Sequence, residues 1–400
     1  MNILYVTPDV VVPFYTGAST HVTEVAQKLA ELGDSVHVLS RRLDSTQPRS
    51  ESIDGVMVHR IYRGVLRPLP RSRYSKVNES NDGESGYLRS VYRAYLSTLF
   101  PLYAGLVSLA LIRRYRVHVI LERETAFGAG AVASAGSGVP LVLEVIGPRY
   151  SKKSVNGAKR VLAYTPSMVR GIQKSKLIFV EAGVDTQAFR PDREAGETTR
   201  ELLGVGPEAP LVGYVGTFQS WHGLDALLEA LARLSEELPD LRCLLVGPYF
   251  SKVKEEAVRL GLGERCIFTG PIPHERTGDF INACDVMVAP YNPSRSSLRS
   301  SGGIGFPIKI LEYMACGKPI ITSDLEPSNQ IPGITGAALL IPPGDPTALK
   351  GGLLGLFRDR VKMNSMGHAG RSLVELRYSW SGFARNLHGI LEEVVRDRPN

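Results

Sequence analysis

Residues 211–231 read LVGYVGTFQSWHGLDALLEAL. The apolar run Leu211–Gly216 predicts a strand, a turn follows, and Leu224, Leu227, Leu228 and Leu231 then recur at the spacing of one helix face. The chain has already used this grammar once. Asn2–Thr7 predicts a strand, Val22, Val25, Ala26 and Leu29 a helix face, Gly33 its C-cap and Ser35–Ser40 the next strand. Strand–helix–strand units close with parallel strands and a right-handed crossover. A pattern that starts twice within 400 residues, more than one core usually organises, predicts two Rossmann-like doubly wound α/β domains facing a central cleft.

Outward from these starts, further strands are expected at Gly55–Tyr62, Val117–Glu122, Pro140–Val145, Arg160–Tyr164 and Leu177–Glu181 in the first domain. The second continues at Arg242–Gly247, Cys266–Thr269, Asp285–Pro290, Pro319–Ser323 and Ala338–Ile341. Gly183–Pro210, rich in Pro, Asp, Glu, Gly and Thr, is expected to link the domains, which are bounded at residues 1–185 and 186–378. After the second sheet is complete, Trp380, Phe383, Ala384, Leu387, Leu391 and Val394 form an apolar face. That helix, within 379–400, is expected to pack back on the first domain. Gly64–Gly86 is basic and aperiodic, so a loop is expected there. Ala94–Ile112 carries no charge and is long enough to span a membrane, but Pro101 and Gly105 favour a buried helix.

Composition narrows the class. Hydrophobic residues at 43% and charged residues at 22% describe an ordinary globular protein, and a net charge of +7 favours anionic partners. No zinc-ligand spacing, aromatic stripe or basic helix points to nucleic acid. Cys243, Cys266, Cys284 and Cys316 lack metal-ligand spacing and are expected as buried thiols in a reducing compartment. No secretory signal opens the sequence, so the expected location is cytoplasmic, with peripheral contact at the inner face of a membrane as an extension.

The strongest chemical signal is GGIGFPIKILEYMACG at Gly302–Gly317. Three glycines, Gly305 among them, allow close backbone approach, and Phe306 leads to Pro307 as the expected first residue of a helix. A helix start suits a diphosphate. Lys309 in the first turn and Glu312 three residues on share a face, one for phosphate and one for ribose hydroxyls, with Ile310 between them. A surface ion pair explains the same spacing without a ligand. Gly216, Thr217, His222 and Gly223 form a second strand-to-helix turn, where His222 is placed to donate to a phosphate or simply to pack. In the first domain the loop with Gly17, Ser19, Thr20 and His21 is not GxGxxG, which argues against hydride transfer. Its Ser19 or Thr20 caps the following helix, or His21 faces the cleft. Glu122, Arg123 and Glu124 end one strand, and Glu144 and Arg149 flank the end of the next.

These residues resemble the family-four group of retaining glycosyltransferases with the GT-B fold. The resemblance runs through essentially the whole chain: TGASTHVTEVAQKLAELG from Thr16, GVDTQAFRP at Gly183–Pro191, GTFQSWHG at Gly216–Gly223, FPIKILEYMACGKPIITSD at Phe306–Asp324, and Tyr378-Ser379-Trp380 before the last helix. It implies that Glu312 binds the ribose, that Lys309 of the PxKxxEYMA form contacts the donor phosphates, and that Gly17 lies beside them. His222 stands where many members carry a lysine, Thr217 where many have an arginine, and Ile304 where the first glutamate of Glu-x7-Glu would fall. Glu122 and Arg123 lie near the place of a catalytic histidine in some members. The implied reaction moves a sugar from a nucleoside-diphosphate sugar, UDP preferred, to an acceptor hydroxyl with retention. His222, Lys309, Glu122 and Arg123 are the expected catalytic groups, and His21, Glu144 and Arg149 the acceptor side. No DxD motif is present, so no metal or other cofactor is expected. The acceptor is open among a small molecule, a glycan and a lipid-linked group at an acidic membrane. A nucleotide-sugar epimerase and a non-catalytic binding partner are the rival readings.

Overall fold

The computed structural model describes residues 1–14, 16–62, 99–124, 128–147, 150–169, 171–248, 251–292, 294 and 306–397. Two compact units result. Met1–Phe14, Ala18–Val180 and the residues from Ser381 onward form one, and Glu181–Trp380 the body of the other.

The first unit holds an eight-stranded sheet: β1 (Asn2–Val11), β2 (Ser35–Arg41), β3 (Ser50–Ile53), β4 (Val56–Ile61), β5 (Val119–Arg123), β6 (Leu141–Val145), β7 (Arg160–Ala163) and β8 (Leu177–Phe179), in the order β3-β4-β2-β1-β5-β6-β7-β8. All neighbours are parallel except β3 and β4. Ile3, Leu4, Tyr5 and Val6 are all fully buried, as a strand covered on both faces must be. The β3–β4 hairpin was not expected, although Asp54-Gly55 signals it. Both residues take positive φ, 47° and 81°, the condition for a two-residue turn that follows strand twist.

The second unit holds β9 (Leu211–Val215), β10 (Arg242–Val246), β11 (Cys266–Gly270), β12 (Val286–Ala289), β13 (Ile320–Ser323) and β14 (Ala338–Ile341), all parallel, in the order β11-β10-β9-β12-β13-β14. Counted from its own first strand this is the 3-2-1-4-5-6 order of doubly wound dinucleotide-binding sheets. The expected helix spans Leu224–Leu234, with Leu224, Leu227, Leu228 and Leu231 buried. The four cysteines are free and buried.

Three expectations are corrected. Gly183–Pro210 is no linker but part of the second unit, and it contains the helix Arg193–Leu202, capped by Asp192, whose side chain accepts from Ala195 N at 3.0 Å. Arg200 on this helix fastens it: Nη2 meets Asp285 at 2.8 Å, Nε donates to Ala283 O at 2.7 Å, and Nη1 donates to the carbonyls of Gly206, Pro207 and Ala209. Charge composition concealed this, because the helix owes its place to one buried guanidinium rather than to an apolar stripe. The uncharged helix, described over Leu99–Tyr115, is not buried all round. Phe100, Ala104, Gly105, Ser108 and Ile112 face inward, while Leu99, Leu102, Tyr103 and Leu106 are 60%, 51%, 45% and 63% exposed. Gly105 permits its close contact with the helix Ala129–Ser137, since a β-carbon there would lie 2.5 Å from Val132 Cγ1. Among the described residues no helix is long and apolar enough to cross a membrane. Gly64–Gly86 lies outside the described residues. The third correction is Pro307, which sits at the N-cap of a helix running Ile308–Ala315 rather than at its first position.

The last helix, Trp380–Arg396, buries all six of its expected apolar residues, and from Ser381 it belongs to the first unit. His388 Nδ1 meets Asp34 at 2.7 Å, and Arg160 meets Glu393 at 2.8 Å.

Replacing Arg200 by Met strands four carbonyls and Asp285. The expected cost is about 3 kcal/mol, the scale for removing one partner of a largely buried ion pair. Equilibrium urea denaturation measures it, and a change below roughly 0.5 kcal/mol, the surface-substitution range, would refute this account of the segment.

Candidate functional site

Doubly wound sheets bind ligands beyond the carboxyl ends of their strands, where the strand order reverses. In the second unit that place lies between β9 and β12. Gly216 and Thr217 follow β9 directly, and Lys309 and Glu312 ride on the helix Ile308–Ala315 that leads into β13. Tyr313 ties this helix to the strand end, donating to Val215 O at 3.1 Å and accepting from Val215 N at 2.9 Å.

Two glycines are obligatory here. Gly216 has φ +145°, and a β-carbon on it would lie 2.5 Å from Lys309 Nζ. Gly223 has φ +67°, and its β-carbon would lie 1.7 Å from Pro290 O. The first lets a lysine pass, and the second lets the loop settle on the end of β12. Gly223 is also the N-cap of the helix Leu224–Leu234. Neither it nor Pro307 caps its helix with a side chain, and both helix starts direct their positive dipole ends to this place, although the amides of Ile308 and Ile310 bond to Phe306 O and Pro307 O.

Lys309 is half-buried, with its ammonium enclosed by aromatic rings. Nζ donates to Tyr214 Oη at 3.0 Å and lies 4.3 Å from the centroid of that ring and 5.7 Å from that of Tyr291. Tyr214 Oη donates to the Thr217 carbonyl at 2.6 Å, and His222 Nδ1 lies 2.8 Å from the same hydroxyl. His222 Nδ1 also donates to the Thr217 carbonyl. A carbonyl only accepts, so Nδ1 carries the ring proton and Nε2 of the neutral imidazole is an acceptor. Burial, helped by the charge of Lys309, holds His222 well below the ordinary imidazole range. The expectation that His222 donates to a phosphate is therefore corrected: the ring does so only after an arriving anion has favoured its second proton. Burial pushes Lys309 down to about 7, against the pull of Glu312. Glu312 is buried, which raises its carboxyl above the usual range despite His274 and Lys309. Its carboxylate makes no hydrogen bond to a described residue.

The remaining donor-side expectations divide. Thr217 contributes its carbonyl to the cluster, and Phe306 is half-buried just before the helix. Ile310 is corrected, because its side chain is fully buried and its amide is spent on Pro307 O. Gly305 and Ile304 lie outside the described residues. Gly17 begins the first helix, Gly17–Glu31, and a β-carbon on it would meet nothing within 4 Å.

In the first unit the strand-end charges serve mostly as structure. Glu144 accepts from Tyr5 Oη at 2.7 Å and Tyr164 Oη at 2.6 Å, and pairs with His21 Nε2 at 2.7 Å. Burial alone would raise Glu144, but His21 and the two phenols bring it down to about 2. His21 and Glu144 are both buried and satisfy each other, which corrects their assignment to an acceptor. Glu122 is sealed between β5 and the following helix, accepting from Gly130 N at 3.2 Å, and a β-carbon on Gly130 would lie 2.7 Å from it. That position corrects its catalytic assignment. Strand alternation sends Arg123 to the other face, where Glu124, Asp9 and Glu144 surround its guanidinium. Glu124 accepts from the amides of Ile146 and Gly147, yet burial carries it up to about 8. Arg149 lies outside the described residues. Sequence reasoning missed Tyr214, Tyr291, Tyr313 and Asp9. The three tyrosines look like ordinary apolar-face residues until the hydroxyls of Tyr214 and Tyr313 find partners and the Tyr291 ring faces Lys309, and Asp9 sits within an extended β1.

Comparison with known proteins now decides the class. Residues 209–359 match the model "Glycosyl transferases group 1", and residues 16–180 match "Glycosyl transferase 4-like domain". The chain is a member of this glycosyltransferase family. A D-inositol 3-phosphate glycosyltransferase of Kribbella flavida is 27% identical over 88% of this chain and 85% of its own length. A GDP-mannose-dependent alpha-(1-6)-phosphatidylinositol monomannoside mannosyltransferase of Mycolicibacterium smegmatis is 31% identical over 50% of this chain and 51% of its own. Among solved structures, sucrose-phosphate synthase from Thermosynechococcus elongatus superposes with TM-score 0.78 at 19% identity, covering 99% of both chains. The Anabaena HepE protein in complex with UDP-glucose gives 0.71 at 17%, covering 98% of this chain and 100% of that one. The architecture is that of GT-B glycosyltransferases, and neither matched model describes an epimerase.

For this glycosyltransferase the Lys309 position has a sign. On the expectation that Lys309 contacts the donor phosphates, it is the ammonium that would hold a diphosphate, and this form predominates below about pH 7 in the empty site. Affinity for a nucleoside diphosphate is therefore greatest below that value and falls as pH rises above it, by up to about tenfold per unit. Calorimetric titration with UDP from pH 6 to 9 measures this, and a flat profile would contradict it.

Proposed function

We propose that this glycosyltransferase moves a hexosyl group from UDP-sugar to an acceptor hydroxyl, with retention at the anomeric carbon and without a metal ion. The observation that carries the reading is the Lys309 ammonium aligned beside two helix starts uncapped by side chains, with the buried carboxylate of Glu312 one turn further along. The bond from the anomeric carbon to the diphosphate breaks, and negative charge grows on the leaving phosphate. Lys309 and the positive dipole ends of the two helices stabilise that charge, the task a divalent ion performs elsewhere. The acceptor oxygen enters from the face the phosphate leaves, and its proton passes to a phosphate oxygen of the leaving group. Glu312 accepts from two ribose hydroxyls and fixes the nucleotide. UDP is supported by the complex of the HepE protein, while the mannosyltransferase relative is named for GDP-mannose.

Glu312→Ala removes charge-assisted hydrogen bonds worth about 2 kcal/mol, so affinity for UDP is expected to weaken about thirtyfold. Thermal shifts with UDP, GDP, ADP and dTDP identify the nucleotide, and turnover in EDTA tests the metal. Unchanged binding in Glu312→Ala would remove the site assignment.

Peripheral contact with an acidic membrane in the cytoplasm is the second part of the proposal. Leu99, Leu102, Tyr103 and Leu106 form one exposed apolar stripe, with Arg113 and Arg114 in the last turn of the same helix. An apolar stripe with cations beside it suits a helix lying at an anionic headgroup surface. Sedimentation with phosphatidylserine vesicles is expected to carry the protein down, and Leu102→Asp with Leu106→Asp to release it. No sedimentation of the parent chain would sink this part alone.

A further inference from the structure

The proposed chemistry uses Lys309, and Lys309 does not stand alone. Tyr214 is almost fully buried on β9, and its one hydroxyl contacts three groups from different segments. It accepts from Lys309 Nζ at 3.0 Å on the helix before β13, donates to the Thr217 carbonyl at 2.6 Å in the loop after β9, and lies 2.8 Å from His222 Nδ1 before the next helix. The ring itself faces the ammonium at 4.3 Å. A phenylalanine would fill the same volume and keep the ring contact. The hydroxyl is thus not needed for packing.

We propose that Tyr214 is a positioning residue for the donor diphosphate, holding the Lys309 ammonium and the His222 loop in one register through its hydroxyl. This rests on the nucleotide-binding reading of the site. The hydroxyl oxygen accepts from the ammonium and so favours the charged lysine, while its proton pins the Thr217 carbonyl and keeps the loop beneath Gly216 closed on Lys309. Among the described residues, the ionisable groups facing the ammonium belong to the same cluster: Tyr214, Tyr291, His222 and Glu312. Of these only Tyr214 donates its proton elsewhere while receiving the lysine.

Tyr214→Phe leaves the ring and removes the acceptor, so the lysine loses charge at lower pH. The dissociation constant for UDP is expected to rise about tenfold at pH 8 and less than threefold at pH 6, with the alkaline limb of the binding profile moved toward lower pH by about one unit. Thermal melting is measured beside it and is expected to change little. An unchanged constant at both pH values overturns the proposal. So does an equal loss at both values with a lowered melting temperature, which assigns Tyr214 to packing alone. If the parent chain binds none of the four nucleoside diphosphates, the nucleotide reading itself has failed, and the Tyr214 proposal falls with it for that separate reason.

Discussion

A lysine ammonium passes beneath a glycine at the end of β9, and the arrangement admits nothing larger. The β-carbon of any other residue at 216 would lie 2.5 Å from Lys309 Nζ, in a backbone conformation already strained for L-residues. The same backbone sits under Gly247, whose own β-carbon would lie 1.9 Å from Gly216 O. Three strand ends therefore meet closely here: Gly216 after β9 lies against Lys309, Gly247 after β10 against Gly216, and Pro290 after β12 against Gly223. The order of the sheet brings these ends together, and the glycines let them approach. Position is settled by the fold before any ligand arrives.

That closeness has an electrostatic consequence. Enclosing an ammonium costs solvation, and the site meets part of the cost with two aromatic faces, a phenolic oxygen and the neighbouring carboxylate of Glu312. It does not meet all of it, so burial pushes Lys309 down to about 7. Burial, helped by the same cation, holds His222 well below the ordinary imidazole range. On the proposed reading an arriving diphosphate supplies the charge that completes the site. Preorganised dipoles at the two helix starts need no such adjustment.

The fold was legible because periodicity reports burial. Thirteen strands were expected where strands occur, and the one missed, β3, lies at a sheet edge and carries no apolar run. The segment taken as a linker was misjudged because Arg200 does there what an apolar stripe does elsewhere, and a sequence does not show where a guanidinium points. The site was legible in part. Glycines, a lysine and a glutamate at helical spacing pointed to Gly216, Gly223, Lys309 and Glu312, which the structure places in the turn after β9 and on the helix before β13. Tyr214 was invisible because a buried tyrosine in a strand looks the same whether its hydroxyl packs or holds a lysine. Glu122, Glu144 and His21 misled for the opposite reason: charge at a strand end suggests a ligand, but pairing inside the protein produces the same sequence.

Two buried carboxylates show what separates these cases. Glu144 accepts from two phenols and a histidine, its lone pairs are committed, and it is held near 2 as a permanent charge that knits β1, β6, the first helix and the residue after β7. His21 carries the connection to Phe383 of the last helix at 6.1 Å between rings. Such a group has nothing left to offer a substrate. Glu312 is also buried, though less completely, and makes no hydrogen bond to a described residue, and burial raises it instead. A carboxylate left in that state is destabilised until hydroxyl donors reach it. On the proposed reading, the ribose hydroxyls are those donors. Burial alone does not mark a functional acid, and neither does position at a strand edge. The mark is burial with acceptor capacity unspent.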